Sequence, residues 1–309
     1  MKNYFDFNLT GKKLLPIWLL FLIAFWAPYV TLIIQMNNVQ PGTKPQLFIF
    51  PLLLLLIIIA FVVTFYLTKM AIESVSFKDK SVVFKGTFGK YFGTVLLGLF
   101  LSIITLGIYF AWFIRNLHRY YINNSSFDSQ EFKFQGKGGK LFVIMLLTVM
   151  IPVIVISIVA GRSIIHDPEN MKSAYIIQQL VTFIILIPYI YLIYKWMVNI
   201  DYKDFNMSWE TNFRSSCAKI LGEFVLIIIT LGIYLPMAWL RLYKYFTDKT
   251  VLTNSDRRLV FGFDKVGLND FLFIWGQVLL TILTLSLYYP WAFSKVGKRI
   301  LGKTYLEEA

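Results

Sequence analysis

Side chains able to act as nucleophiles, bases or metal ligands are few in this chain, and their spacing does little to join them. There is one cysteine, Cys217, and there are two histidines, His118 and His166. A nucleophile needs a base within reach, and neither histidine is near Cys217 in sequence. His118 lies between Arg115 and Arg119, a basic setting that suits a phosphate headgroup better than proton transfer. His166, Asp167 and Glu169 cluster in a short polar stretch. Two readings stand for them, a weak cation site and an ordinary solvated loop. No HExxH, GxSxG or phosphate-loop motif occurs. The expectation is a protein that is not an enzyme, with no metal and no cofactor.

The elements that carry these residues are apolar. Of 309 residues, 57% are hydrophobic and only 15% charged, and the mean hydropathy is +0.64. Soluble domains run near a quarter charged, so a soluble globular fold is excluded. The charges are lopsided, 30 Lys and Arg against 17 Asp and Glu. Nucleic acid is not the expected partner, because no segment is long enough to form a basic soluble domain. Seven apolar stretches, 14–36, 47–68, 91–113, 141–161, 176–194, 220–240 and 271–293, each approach the ~20 residues a membrane helix needs. Glu223 is the single acid or base within them.

Basic residues mark the cytoplasmic face of membrane proteins. Seven simple crossings divide the basic residues 16 to 14, which is no bias. If 91–113, 220–240 and 271–293 instead enter and return on one side, the division is 27 to 3, with the external loops at 37–46 and 162–175.

Repeats point the same way. A nine-residue pattern precedes five apolar stretches, at Phe7–Leu15, Phe84–Phe92, Phe134–Phe142, Phe213–Leu221 and Phe263–Phe271. Lys13, Lys90, Lys140 and Lys219 hold its seventh position, and Cys217 falls where other copies have Gly11, Phe88, Gly138 or Gly267. A second motif closes three stretches: Thr105-Leu-Gly107-Ile-Tyr109, Thr230-Leu-Gly232-Ile-Tyr234 and Thr284-Leu-Ser286-Leu-Tyr288. Each is followed by Trp and then by basic residues, among them Arg115 and Arg119, Arg241, and Lys295 and Arg299. The spacing divides the chain into repeats 1–136 and 137–265 and an additional unit 266–309, a tandem duplication of a kind known in transporter folds.

Gly permits a reversal that other residues resist, and Pro236 and Pro290 interrupt helical bonding just beyond. The 14 residues from Tyr91 to Ile104 reach about 21 Å as a helix, which enters a bilayer without crossing it. An ordinary span kinked at Gly is the competing reading. Alternation at Val75/Phe77, Val82/Phe84, Phe132/Phe134, Met207/Trp209 and Val260–Phe263 marks short strands. Cytoplasmic hairpins and unstructured loops remain equal alternatives for them. The expected fold is a membrane all-α-dominated polytopic helical bundle, with four spans, three re-entrant or half-inserted segments and short cytoplasmic β-hairpins.

The pattern F-x-F-x-G-x-G-x-x-L-F, then T-L-G-I-Y-x-P-W, then an Arg-rich stretch resembles the YjgN-like family of bacterial inner-membrane proteins. The likeness is densest over 82–142 and 229–306. The first copy lacks the Pro before Trp112, the second has two extra residues before Trp239, and the third has Ser286 in place of Gly. The resemblance implies a multi-pass protein of the bacterial inner membrane and no activity.

Two functions fit these features. In one, a small solute or lipid passes through a site at the turns, lined by Thr105, Gly107, Thr230, Gly232, Thr284 and Ser286. In the other, a membrane scaffold or accessory module binds anionic lipid or a partner envelope protein. Its headgroup contacts are Lys13, Lys90, Lys140, Lys219, Arg115, Arg119, Arg241, Lys295 and Arg299, although ordinary snorkelling explains the same lysines. Both place the N- and C-termini in the cytoplasm.

Overall fold

The computed structural model describes residues 1–37, 49–166 and 171–309. Four of its helices are long and apolar enough to cross a membrane. The first runs from α1 (Gly11–Phe21) through a π-helical turn at Leu22–Trp26 into α2 (Ala27–Asn37). The second is α3 (Ile49–Glu73). The third joins α6 (Gly138–Met145) through a second π-helical turn, Leu146–Met150, to α7 (Ile151–His166), and the fourth is α8 (Met171–Met197).

The three segments with a Thr-Leu-Gly/Ser turn form helical hairpins. These are α4 (Phe88–Ile104) with α5 (Phe110–Asn123), α9 (Phe213–Ile229) with α10 (Leu235–Thr247), and α11 (Leu268–Leu283) with α12 (Tyr289–Leu301). In each pair the two helices pack on one another, so the chain returns to the level at which it left.

It leaves from, and returns to, a β-sheet. Its strands are β1 (Asn3–Phe7), β2 (Val75–Phe77), β3 (Lys80–Ser81), β4 (Val83–Phe84), β5 (Ser125–Phe127), β6 (Gln130–Phe134), β7 (Ile200–Tyr202), β8 (Phe205–Trp209), β9 (Thr250–Thr253), β10 (Arg258–Phe263) and β11 (Thr304–Glu308). All pairings are antiparallel, in the order β3-β2-β1-β11-β10-β9-β8-β7-β6-β5-β4. The two ends of that order, β3 and β4, are separated along the chain by Val82 alone. Residues 80–84 therefore act as one bulged strand that pairs on both sides and brings the sheet round into a nearly closed barrel. A ring of this kind leaves only short edges, at β3 and β4.

This overturns the expected helical bundle with short separate hairpins. Strands β2, β4, β6, β8 and β10 lie at the alternating stretches, the other six strands were not marked by alternation, and the two strands that flank a helical hairpin pair with each other. A strand of two to six residues is marginal as an isolated hairpin, and the sheet supplies every strand except β3 and β4 with two paired neighbours. Segments 1–136, 137–265 and 266–309 all contribute strands to the one barrel.

One junction recurs at all five helical connections. The residue after the last strand residue donates its amide to a carbonyl just before the next strand. The pairs are Asn8 to Ser74, Lys85 to Asn124, Gln135 to Asn199, Glu210 to Lys249, and Asp264 to Lys303, all at 2.8–3.0 Å. The strand residue before each is buried: Phe7, Phe84, Phe134, Trp209 and Phe263. The fourth nine-residue segment is therefore shifted by four. Trp209, and not the exposed Phe213, holds the Phe position.

The helices follow the barrel order as a ring, with α1 on α3, α3 on α4, α5 on α6, α6 on α8, α8 on α9, α10 on α11, and α12 back on α1. Two sequence motifs meet where neighbouring units touch. Trp112 packs on Gly138 and Trp291 on Gly11, where an added Cβ would fall 2.5–2.6 Å from the indole.

Candidate functional site

The Thr-Leu-Gly turns are the tips of the hairpins. Leu106, Leu231 and Leu285 adopt φ of 51°, 50° and 49°, and Gly107, Gly232 and Ser286 follow at 89°, 86° and 69°. Two successive left-handed residues reverse the chain, a conformation that glycine adopts at least cost. The threonine hydroxyl completes each turn. Thr105 donates to the Leu101 carbonyl at 2.7 Å and accepts the Tyr109 amide at 2.9 Å. Thr230 does the same with Leu226 and Tyr234, and Thr284 with Leu280 and Tyr288. These hydroxyls are thus engaged within their own turns.

Neighbouring indoles brace two of the tips. Trp18 donates to the Ser286 carbonyl at 2.7 Å and Trp275 to the Ile233 carbonyl at 2.8 Å. The six expected lining residues sit on three separate tips and are not brought together with one another in the cavities described below. The leucines of the tips are almost fully exposed, at 92%, 92% and 85% for Leu106, Leu231 and Leu285.

The basic residues fall into two groups. Lys13, Lys90 and Lys140 are exposed in the first turns of α1, α4 and α6, at the level of the junction. Arg119 is exposed near the end of α5, where it lines a surface pocket with Asn116 and Asn123. The others are engaged within the protein. Arg115 donates to the Gly136 carbonyl and to Asn116. Arg241 lies over the Tyr234 ring, and Lys295 donates to the Tyr288 hydroxyl at 2.8 Å. Arg299 and Lys303 both grip buried Asp270, at 2.8 and 2.7 Å. Asp270 also accepts the Gly267 amide at the start of α11. Burial pushes its carboxyl up, but Lys303, the Gly267 amide and Arg299 outweigh this and hold it below the ordinary range.

Lys219 bonds Glu223 at 2.6 Å. The Glu223 side chain is 3% exposed, its second oxygen has no hydrogen-bond partner, and neither has the buried Tyr234 hydroxyl.

The candidate nucleophile and bases are packed residues. Cys217 is half-buried, and burial pushes its thiol up, away from thiolate. His118 sits against the Phe134 and Trp196 rings, at 4.5 and 5.7 Å, with Nε2 3.3 Å from the Met197 carbonyl; burial pushes its pKa down. Asp167 and Glu169, and the side chain of His166, lie outside the described residues. Among the described residues, no group of three or more His, Cys, Asp and Glu side chains converges.

The barrel interior holds a feature not expected from the sequence, a cavity of about 290 Å³ lined from around the ring. Its walls include Phe5, Phe77, Phe127, Phe132, Phe261 and Leu306, and its charged groups are Asp128 and Lys203. Asp128 also bonds Lys80 across the seam at 2.5 Å. The alternation that marks these strands was the available signal for an inward apolar face.

Apolar helices of spanning length, joined at one level to a nearly closed barrel, define a membrane-type helical ring carrying a β-barrel. The chain belongs to a bacterial family described as "Bacterial protein of unknown function (DUF898)", whose match covers residues 2–261. No curated protein and no solved structure matches, so the narrower YjgN-like resemblance stands without a named relative.

Proposed function

We propose that the protein is a non-enzymatic integral module of the bacterial inner membrane that seats a β-barrel on the anionic cytoplasmic leaflet. The observation that carries this reading is the exposure of the hairpin tips. Leucines left 85–92% open at the ends of apolar hairpins favour hydrocarbon over water. The three hairpins dip into the leaflet and return, while the four long helices cross. Each tip keeps its reversed backbone bonded through Thr105, Thr230 or Thr284, as irregular backbone in lipid requires. Both termini belong to the barrel and share its cytoplasmic side.

At the junction, exposed Lys13, Lys90 and Lys140 meet lipid headgroups, each worth about 1 kcal/mol near an anionic surface. This favours the lipid-binding module over solute passage, since the turn residues serve their own turns. The test is native mass spectrometry of protein released from phosphatidylglycerol-containing nanodiscs. Replacing Lys13, Lys90 and Lys140 together with Gln is expected to strip retained phosphatidylglycerol. Unchanged retention contradicts the headgroup role.

A further inference from the structure

We propose that the barrel lumen is a binding site for a single hydrocarbon chain of an amphiphile, with the amphiphile's polar end at Asp128 and Lys203. The inference rests on the seating of the barrel at a membrane and adds a ligand to it.

The lining is contributed by strands all round the ring, including Phe5 of β1, Phe77 of β2, Phe132 of β6, Met207 of β8, Phe261 of β10 and Leu306 of β11. These six side chains are only half-buried. A ring of apolar groups facing a cavity at the lower edge of ligand-site sizes is a common form of small-molecule pocket. Small barrels either fill such an interior with side chains or hold one small ligand there. Here the space is left open.

The chemistry of the wall selects the occupant. All the barrel strands except β3 and β4 pair on both sides, so the wall offers few free backbone donors or acceptors to a guest. A peptide inserted there would bury amides without partners, at a cost that excludes it. The Tyr202 hydroxyl is already committed to the Phe127 carbonyl at 3.0 Å. A hydrocarbon chain asks nothing of these groups. Asp128 and Lys203, 3.5 Å apart, are the charged pair lining the cavity, and they lie at the hairpin turns, where a polar end would emerge.

The test uses the full-length protein in nanodiscs and a twelve-carbon fatty acid carrying a terminal diazirine. After photolysis, peptide mapping locates the adducts. The expected result is labelling of lumen-lining strands such as β6, β8 and β10, suppressed by excess unlabelled dodecanoate. Met207→Trp, which fills the lumen, should lower that labelling at least tenfold, while Met207→Leu keeps it within threefold. Phe261→Trp supplies a second lumen-filling variant if the first fails to fold. Adducts confined to α1–α12, lumen adducts that survive filling, or no adducts at all overturn the proposal. So does burial of the lumen against a second copy, seen as a dimer lost on filling. Retention of phosphatidylglycerol by the same variants, measured alongside, reads the seating separately from the lumen.

Discussion

Tyr4 lies directly opposite Tyr305 where the first and last strands pair, with their rings 5.6 Å apart. This contact joins the first strand to the last within the sheet. Tyr305 is also in register with Gly262 of β10, and a Cβ added at Gly262 would fall 2.3 Å from its ring. The tyrosine crosses its neighbour because that neighbour has no side chain.

Gly262→Ala is therefore expected to destabilise the barrel by about 1–3 kcal/mol, the usual cost of overpacking. Thermal unfolding in detergent measures it. The double variant with Tyr305→Ala should recover part of the loss. An unshifted midpoint for Gly262→Ala would show that the seam is not packed as described.

Asp270 ties the start of α11 to α12 and β11 through Arg299 and Lys303. Losing charge-assisted hydrogen bonds to a buried carboxylate, with no buried charge left behind, costs about 1.5–3 kcal/mol. Asp270→Asn keeps the side-chain acceptor for the Gly267 amide but loses both ion pairs, so it should unfold well below the parent. The carboxyl is held below its ordinary value, and its stabilising contribution is full above the unfolded carboxylate pKa. It is lost as the pH falls through the lower folded value. Melting profiles over that acidic range should fall more steeply for the parent than for Asp270→Asn.

Lys219 and Glu223 make an asymmetric pair, since the carboxylate is buried and the ammonium is partly exposed. Lys219→Met leaves a buried charge unpaired, whereas Glu223→Gln removes that charge. The lysine variant is expected to be the less stable of the two by more than 1 kcal/mol, judged from the cost of uncompensated burial. Equal melting points would contradict the asymmetry of the pair.

The tip residues separate conformational from packing demands. Gly107 has φ of 89° but open space around it, so Gly107→Ala carries backbone strain alone, about 1 kcal/mol. Ser286 already occupies the equivalent position with φ of 69°. Gly107→Ser should therefore fold, with a melting point only a few degrees lower. Failure to fold would show that something packs on this tip.

The apolar stretches and the Thr-Leu-Gly turns were legible because hydropathy and glycine act locally. The barrel was not, because its strands are two to six residues long and pair across helical connections many times longer than themselves, as Phe84 does with Ser125 and Phe134 with Ile200. No local pattern reports such a partner. The fourth nine-residue segment was misaligned because Trp209 takes the Phe position, leaving Phe213 as a misleading match. Lys219 was grouped with Lys13, Lys90 and Lys140 for that reason, although it sits one turn deeper and serves Glu223. The lumen was legible only as alternation, since an inward face acquires meaning when the ring closes around it.

The seating proposed for the barrel requires each helical hairpin to enter and return on the side that carries it. Single cysteines at Asp79 and Ser129, on the turns before and after α4–α5, test it most directly in a Cys217→Ser background. Both should resist an impermeant thiol reagent in whole cells and both should react in inverted vesicles. Reaction of one in cells and of the other only in inverted vesicles would make α4–α5 a crossing and contradict the account.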